Sequence, residues 1–305
     1  MGQLEGGKWA TSGMPEIVAD RGAAIRLDGR GLPGQWNVVK ALEMAMARST
    51  KSGGPHPVVS VAIGRSQNIS CLATYCRRAA EAGVMAILVT SGQANAVVAP
   101  AGGRAAALST SPIAAGIPAG SNSHDHPILF DTATSATTNR MIERTRREGG
   151  KLPYKALVDA LGNPSADPEA IYTDPPGAIL PMGGLETGHK GAAISILIEA
   201  LTSGLAGWGR APGAEKPFGN NVFLQIIDPD AFAGFDAFTH ETEHLAESIR
   251  GVPPMAGTDA VRAPGDRTYR LWHEQTAYGV DLHPEILPRM APWFEKYGVT
   301  PPQPI

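Results

Sequence analysis

Two histidines in the sequence HETEH, at positions 240–244, have the spacing found in zinc-dependent proteases. On a helix, His240 and His244 lie one turn apart and can share a metal ion, while Glu241 can polarise the metal-bound water. A third protein ligand would have to come from another part of the chain. The pattern therefore raises the hypothesis of a metal-dependent hydrolase.

The helix around these histidines favours a different interpretation. We expect its apolar stripe to pack against the protein, with Thr242 between the apolar residues Phe235, Phe238, Leu245 and Ile249. His240 and His244 lie roughly 200–240° from Phe238 around the helix, so both should face solvent. We therefore predict that the chain binds no metal.

A second group of polar residues follows an apolar stretch at 127–131. Asp131, Thr132, Thr134 and Ser135 precede a segment with helical periodicity. A junction between a strand and a helix presents free backbone N–H groups and hydroxyls, which suit a phosphate or a ribose. The alternative is that one of these side chains simply caps the helix.

A glycine-rich segment, GGLETGHKG at 183–191, contains one lysine. We predict a flexible loop that carries Lys190 just before an apolar helix at 192–207. A lysine in this place can bind a phosphate as a point charge. Two alternatives stay open: Lys190 is an exposed loop residue without a ligand, and His189 is a structural residue of the same loop.

The elements that position these residues alternate between strands and helices, which predicts an α/β fold with a helical C-terminal part. No G-x-G-x-x-G sequence follows a strand, so the Rossmann fingerprint is absent. Residues 159–171 are rich in turn formers and are expected to form a surface excursion. We predict a strand that leads into a glycine-rich turn over 23–34 and further strands near 57–64, 84–90, 112–118, 127–131 and 221–229. Helices are predicted near 36–49, 71–83, 135–150, 192–207, 231–250, 266–278 and 284–297.

Composition excludes several classes of function. The chain has 305 residues, 43% of them hydrophobic, and a net charge of −3, which gives no electrostatic basis for binding nucleic acid or an anionic membrane. No apolar run approaches the roughly 18 residues of a membrane helix, and the N-terminus lacks the apolar stretch of a signal peptide. Cys71 and Cys76 have the spacing of neither a zinc pair nor a disulfide framework. We therefore expect a cytoplasmic protein.

Five stretches in order along the chain carry a resemblance to a known family. They are AAIRLDGRGLPGQ (23–35), PILFDTATS (127–135), ILPMGGLETGHKG (179–191), NNVFLQIIDPDAFAGF (220–235) and VRAPGDR (261–267). Together they resemble the second type of malate/L-lactate dehydrogenase, a family that also includes ureidoglycolate, sulfolactate and diketogulonate dehydrogenases and cyclic ketimine reductases. The resemblance covers the chain from about Leu4 onward and implies a mixed-sheet, non-Rossmann cofactor domain flanked by helices.

The resemblance also implies a cofactor, NAD or NADP, a small-molecule substrate and a homodimer. It divides the chain into a shortened N-terminal strand and helix part (1–60), a cofactor-binding domain (61–220), and a C-terminal strand with helices (221–305). Lys190 matches the lysine that contacts the cofactor, and Ser91 is expected in a loop after the strand at 84–90. The implied cofactor-binding residues are Ser91, Asp131, Thr132, Ala133, Thr134, His189, Lys190, Gly265 and Asp266.

The catalytic positions depart from the family pattern. Family members usually begin with a further helical segment carrying a Ser-His-Gly element, and this chain is expected to start after it. A second family histidine lies in an Asn-His-Phe-Gly-like turn, which here reads GRSQNIS with Asn68 in the place of the histidine. An asparagine has no titratable proton, although it can donate a hydrogen bond to a carbonyl. Asn68 and His189 are therefore the catalytic candidates.

These observations lead to three hypotheses. The first is an NAD(P)-dependent oxidoreductase acting on a small 2-oxo or 2-hydroxy acid or on a cyclic imino acid, with Arg65, Arg77 or Arg104 binding the substrate carboxylate. The absence of the histidines favours imine reduction slightly, because a protonated iminium already attracts hydride. The second is a member that binds a nucleotide or metabolite without turnover. The third is a member whose acid or base comes from a partner chain.

Overall fold

The computed structural model describes residues 9–93, 96–120, 126–212 and 219–303. Contacts within the chain divide it into two compact units, Met1–Ala246 and Glu247–Ile305. The segment boundaries expected from the sequence, after residues 60 and 220, both fall inside strands of the first unit. These boundaries therefore differ from the division by contacts.

The first unit contains a mixed β-sheet, as predicted. Seven strands pair in the order β1-β2-β3-β10-β4-β5-β6, and a small second sheet has the order β8-β7-β9. The strands are β1 (Glu16–Asp20), β2 (Ala24–Asp28), β3 (Val58–Ser66), β4 (Met85–Gly92), β5 (Ile113–Ile117), β6 (Ile128–Thr132), β7 (Leu157–Val158), β8 (Pro164–Ser165), β9 (Ala178–Ile179) and β10 (Asn220–Ile227).

Each of the seven helices expected from the sequence has a counterpart among the described residues, with shifts at its ends. In chain order they are α1 (Gly34–Arg48), α2 (Ala73–Glu81), α3 (Asn139–Arg147), α4 (Gly184–Glu199), α5 (Phe235–Arg250), α6 (Asp266–Tyr278) and α7 (Ile286–Tyr297). The alternation of strands and helices through the first unit confirms the α/β class.

The central strands β3, β4 and β10 form the middle of the sheet because they are apolar along nearly their whole length. Such runs are typical of strands buried on both faces. Helix α2 packs closely on β5, and Gly116 is required for this approach. A Cβ atom at Gly116 would lie 2.3 Å from the carbonyl oxygen of Cys76.

Most strands of the large sheet have either their carboxyl end or their amino end at one edge of the sheet. β2 pairs with β3 in parallel, whereas β10 is antiparallel to both β3 and β4, and β5 is antiparallel to both β4 and β6. The carboxyl ends of β2, β3, β4 and β6 therefore lie at the same edge as the amino ends of β5 and β10. We call this the site edge, because the candidate residues follow these strand ends.

Residues 159–171 are not simply a surface excursion. Leu161 is 77% exposed, but β8 pairs with β7, and a short helix at Pro168–Ile171 follows. Ala170 packs in a core cluster with Ile142 and Leu157. The prediction was therefore wrong for the second half of this segment, because its apolar residues complete the core beside the small sheet.

The helix that carries HETEH places both histidines in solvent, as the helical wheel indicates. His240 and His244 are exposed. The predicted stripe is wrong at Leu245, which is 58% exposed, because the buried positions of α5 are Thr239 and Ala246.

The described part of the chain shows neither a metal site nor a membrane-spanning helix. Within residues 9–93, 96–120, 126–212 and 219–303, no three His, Cys, Asp or Glu residues are placed to hold a metal ion. The helices in the same ranges include none that is both long and apolar enough to cross a membrane.

Candidate active site

A cleft of about 430 Å³ opens at the site edge of the sheet. It lies where β3 and β4 end and where β5 and β10 begin. Among its described lining residues there is no Asp, Glu, His, Lys or Arg. Its polar side chains are neutral: Gln67, Asn68, Ser70, Thr90, Ser109, Thr110, Asn139 and Asn220.

The loop that carries Asn68 is held in place by its neighbours. The Asn68 side-chain oxygen accepts a hydrogen bond from the Ser70 backbone N–H at 2.8 Å, and the Tyr75 hydroxyl donates to the Ile69 carbonyl at 2.7 Å. A Cβ atom at Gly34 would lie 2.1 Å from the Gln67 carbonyl oxygen, so α1 can begin this close to the loop only with glycine. Asn68 therefore lines the cleft, and its role at the reacting group stays a prediction.

Asp131 has a structural partner that the sequence pattern did not reveal. Its carboxylate accepts hydrogen bonds from the backbone N–H groups of Leu72 (2.8 Å) and Ala73 (3.1 Å) at the start of α2. The next helix along the chain, α3, is capped by Thr138, whose hydroxyl accepts from the Met141 N–H at 3.3 Å. A capping role is therefore present, but Asp131 caps an earlier helix.

The residues after Asp131 differ in how accessible they are. Thr132 is exposed and Ala133 is half-buried. Thr134 is buried, and its hydroxyl donates to the carbonyl oxygens of Thr110 (3.2 Å) and Ser111 (3.0 Å). Thr132 can therefore contact a ligand with its side chain, whereas the Thr134 hydroxyl already has protein partners.

The start of α4 lies beside this segment. The Met182 N–H donates to the Thr134 carbonyl and the Ala136 N–H to the Leu180 carbonyl, both at 2.8 Å. A Cβ atom at Gly191 would lie 2.5 Å from the Met182 carbonyl oxygen, so α4 can pack this closely only with glycine. The structure thus brings together the two stretches, 131–135 and 183–191, that were identified separately in the sequence.

Lys190 and His189 lie inside α4, not in a loop before a helix as we expected. The reason is that helical structure begins already at Gly184, and a kink at Thr187 (φ −128°, ψ 18°) starts a second helical segment. Both side chains are exposed. The Lys190 ammonium has no hydrogen-bond or ion-pair partner among the residues described.

Ser91 lies within β4 and not in a loop after it, because the strand extends to Gly92. Its hydroxyl is buried, 2.6 Å from the Thr202 hydroxyl and 2.6 Å from the Gln93 amide nitrogen. The backbone, not the hydroxyl, is therefore the part of Ser91 that could face a ligand.

A charged pair lies beneath the cleft. Arg210 donates to Glu199 at 2.7 Å, and the hydroxyl of Ser109, which lines the cleft, lies 3.3 Å from the same carboxylate. The pair connects the end of α4 with the cleft wall without lining the cleft itself.

Of the site residues expected from the sequence, Asn68 alone is among the described residues that line the cleft. Asp266, in the second unit, accepts hydrogen bonds from Arg250 (2.8 Å) and from the Ala263 N–H (2.8 Å), and Gly265 precedes α6 with φ +108°. The three arginines considered for the substrate carboxylate are also elsewhere. Arg65 lies 3.7 Å from Asp28, Arg77 lies 3.2 Å from Glu81, and Arg104 is exposed.

The neutral cleft was only partly visible in the sequence. Asn68 was identified through its motif, but Gln67, Asn139 and Asn220 were not. Asn220 had a usable signal, since it adjoins the start of the strand predicted at 221–229, whereas Gln67 adjoins β3 only because the strand extends to Ser66. Asn139 had none, because its place at the cleft depends on how the segment after β6 folds back.

The residues at the start of α4 fit a nicotinamide dinucleotide. The cation of Lys190 lacks a partner in the described chain and can receive a phosphate. Thr132 and His189 are also exposed, whereas the side chains of Asp131, Thr134 and Ser91 already have protein partners.

Similarity to known proteins extends over nearly the whole chain. The chain is 32% identical over 291 residues, 92% of this chain and 78% of the relative, to a Delta(1)-pyrroline-2-carboxylate/Delta(1)-piperideine-2-carboxylate reductase of Pseudomonas syringae pv. tomato. It is also 32% identical over 270 residues, 86% of this chain and 74% of the relative, to an L-lactate dehydrogenase of Cupriavidus necator.

Solved structures show the same fold. A delta1-piperideine-2-carboxylate reductase from Pseudomonas syringae superimposes with a TM-score of 0.77 at 30% identity, over 94% of this chain and 82% of the other. A malate dehydrogenase from Entamoeba histolytica, at 22% identity, superimposes with a TM-score of 0.88 over 99% and 84%. Residues 1–291 match the profile of the Malate/L-lactate dehydrogenase family. The chain therefore belongs to the malate/L-lactate dehydrogenase family, as its motifs indicated.

Proposed function

We propose that this chain is an NAD(P)-dependent oxidoreductase that transfers hydride between nicotinamide and a small 2-oxo or 2-hydroxy acid, or a cyclic imino acid. The observation that carries the proposal is the polar cleft at Asn68, at the site edge of the sheet. The segment 131–135 follows β6 at the same edge and is hydrogen-bonded to Met182 just before α4, the helix that carries the exposed Lys190, whose ammonium has no partner among the described residues. Family membership and the activities of the similar reductase and dehydrogenase support it.

The cofactor is NAD or NADP, and when bound it supplies or accepts the hydride. Lys190 and His189 bind its phosphates or a ribose, because both are exposed near the start of the second segment of α4. Thr132 and the backbone around Ala133 contact it from the neighbouring segment. Ser91, Gly265 and Asp266 are proposed as further contacts on the strength of the resemblance.

The neutral cleft favours the imine among the possible substrates. Asn68 can orient an oxygen or a nitrogen by hydrogen bonding, but it cannot transfer a proton. A 2-oxo acid must receive a proton as its carbonyl is reduced, whereas a protonated cyclic imine carries its proton already. Hydride transfer to a cyclic iminium is therefore the reaction that requires no proton donor among the described residues of this cleft.

A second candidate function is binding of a nucleotide or metabolite without turnover, or turnover that needs a residue from a partner chain. Asn68 is the observation that favours it, since this position lacks the family's titratable histidine. The test is a titration with NADH and NADPH, followed by an assay of their oxidation with Δ1-piperideine-2-carboxylate and with pyruvate. We expect binding and faster oxidation with the imine. Absence of binding at millimolar concentrations contradicts the main proposal, and binding without turnover favours the second.

We also propose that the protein is a cytoplasmic homodimer. Helix α4 exposes Ile194, Ile196 and Leu197, the last two by 61% and 58%, which is more apolar than a solvent-facing helix usually is. A second copy of the chain that covers this face explains its composition. Both cysteines are free, which suits a reducing compartment.

A further inference from the structure

We propose that Gln67 is a specificity-determining residue whose side-chain amide binds the carboxylate of the substrate. The inference rests on the proposed function, because it assigns a recognition group for that substrate. The described residues that line the cleft include no cation. A 2-oxo or imino acid is an anion, so among these residues its carboxylate can be bound only by neutral hydrogen-bond donors.

Gln67 differs from other buried polar residues of the cleft in its hydrogen bonding. Its side chain is 5% exposed, and its amide nitrogen has no hydrogen-bond partner among the described residues. A buried amide without a partner costs free energy that a bound acceptor restores. By contrast, Thr90 donates to the Asn221 carbonyl at 2.7 Å, and Ser109 lies 2.8 Å from the Ser111 hydroxyl.

The position of Gln67 also fits this role. It directly follows β3 and precedes Asn68, so two amides stand in sequence at the wall of one cleft. Its backbone is fixed by the close approach of Gly34. We therefore assign the two amides different tasks: Asn68 orients the reacting group, and Gln67 binds the carboxylate.

An alternative role for Gln67 is purely structural. Its amide oxygen lies 3.2 Å from the place where a Cβ atom of Gly219 would be, at the turn that leads into β10. If Gln67 only supports this turn, its replacement lowers stability and affects all ligands equally. A test must therefore compare ligands that differ only in their charge.

The test uses Gln67→Glu, which keeps the shape of the side chain, replaces the amide by a carboxyl group and adds a negative charge. Gln225→Glu is the matched control, because Gln225 lies on β10, pairs with Ser60 at 2.9 Å and does not line the cleft. The probes are pyrrole-2-carboxylate, a planar analogue that cannot be reduced, and its uncharged carboxamide. Each is titrated by calorimetry into the protein saturated with NADPH or NADH.

We expect wild type and Gln225→Glu to bind the carboxylate more tightly than the carboxamide. Gln67→Glu should weaken carboxylate binding by about 10- to 150-fold, the range for a lost charge-assisted hydrogen bond. Its affinity for the carboxamide and the dinucleotide should change little, and Gln67→Asn should recover part of the loss. Equal weakening of both probes, or carboxylate binding as in wild type, overturns the assignment. Failure of the proposed function is seen separately, as a wild-type protein that binds neither dinucleotide.

Discussion

Asp131 and Leu72 join the end of β6 to the start of α2: the Asp131 carboxylate lies 2.8 Å from the Leu72 backbone nitrogen. The same oxygen accepts from the Ala73 N–H at 3.1 Å and lies 3.6 Å from the Cys71 sulfur. A residue that the family resemblance assigns to the cofactor site therefore also stabilises a helix beside the cleft. Its replacement must be tested for both effects.

The capping interaction predicts a loss of stability in Asp131→Ala. Removal of such an acceptor from a helix start costs about 0.5–2 kcal/mol in the free energy of unfolding. Asp131→Asn should lose less, because the amide oxygen can still accept. Urea unfolding followed by circular dichroism measures both. Asp167→Ala is a positive reference, since Asp167 caps the short helix at Pro168–Ile171 away from the site edge and its removal should have a cost of similar size. An Asp131→Ala protein as stable as wild type contradicts the capping role.

Lys190 should contribute a charge-assisted interaction with the dinucleotide. Such interactions contribute about 1.5–3 kcal/mol, so Lys190→Ala should weaken NADH or NADPH binding by roughly 10- to 150-fold. Lys155→Ala removes an exposed lysine near the small sheet and should bind as wild type. The measurement is a fluorescence titration of each protein with both dinucleotides. Wild-type affinity in Lys190→Ala means that the start of α4 has no cofactor role.

Asn68→His tests the difference between binding and proton transfer. The dinucleotide affinity should stay nearly unchanged, because this position belongs to the cleft and not to the start of α4. Reduction of a 2-oxo acid should become faster, since a positioned general acid contributes up to about a hundred- to ten-thousand-fold in rate. Reduction of the cyclic imine should change much less. The ratio of kcat/KM for the two substrates is the readout, and an unchanged ratio contradicts this role of Asn68.

The exposed apolar face of α4 predicts a homodimer. Light scattering at micromolar concentration should give twice the chain mass of 31.9 kDa. Ile196→Asp should shift the population towards the monomer, because it places a charge on the face that we expect to be covered. Leu161→Asp is the control, as Leu161 is 77% exposed on a separate turn. A wild-type protein with the mass of a monomer contradicts the proposal that a second copy of the chain covers this face of α4.

The sequence predicted the strands and helices better than it predicted which strands pair with each other. Every predicted strand and helix exists, because the apolar periodicity that marks an element is local. The central place of β10 was not predictable, since it comes after all other strands of the sheet yet pairs with β3 and β4. Pairing partners depend on how the whole chain closes, which no local pattern records.

Individual site residues show the same limit. The position of Asn68 at the cleft followed from its motif, which is local. The hydrogen bonds from Leu72 to Asp131 and from Ser91 to Thr202 join residues far apart in sequence, so the sequence showed polar side chains without their partners. The missing partner of Gln67 is likewise a property of packing, and only the structure could show it.

Tyr75 predicts how stability depends on pH near the cleft. Burial raises the pKa of Tyr75 to about 12, with the nearby Cys71 adding to the effect, and its hydroxyl donates to the Ile69 carbonyl at 2.7 Å. The ordinary value is 10.0, so the unfolded chain loses this proton first as pH rises. The contribution of Tyr75 to stability is therefore complete below pH 10 and is lost as pH rises towards 12.

The variant Tyr75→Phe isolates this contribution, which matters because burial also raises the pKa of Cys76 to about 12. Below pH 10, wild type should be more stable by about 0.5–1.5 kcal/mol, the value of one hydrogen bond. At pH 11, ionisation of Tyr75 in the unfolded chain lowers the free energy of unfolding of wild type by about 1.4 kcal/mol and leaves that of Tyr75→Phe unchanged. The difference in stability between the two proteins should therefore nearly vanish or reverse. Urea unfolding of both proteins between pH 8 and pH 11 measures the difference, and Cys76 affects the two proteins equally. A difference that is the same at pH 8 and pH 11 shows that the Tyr75 hydroxyl ionises as readily in the folded chain as in the unfolded one.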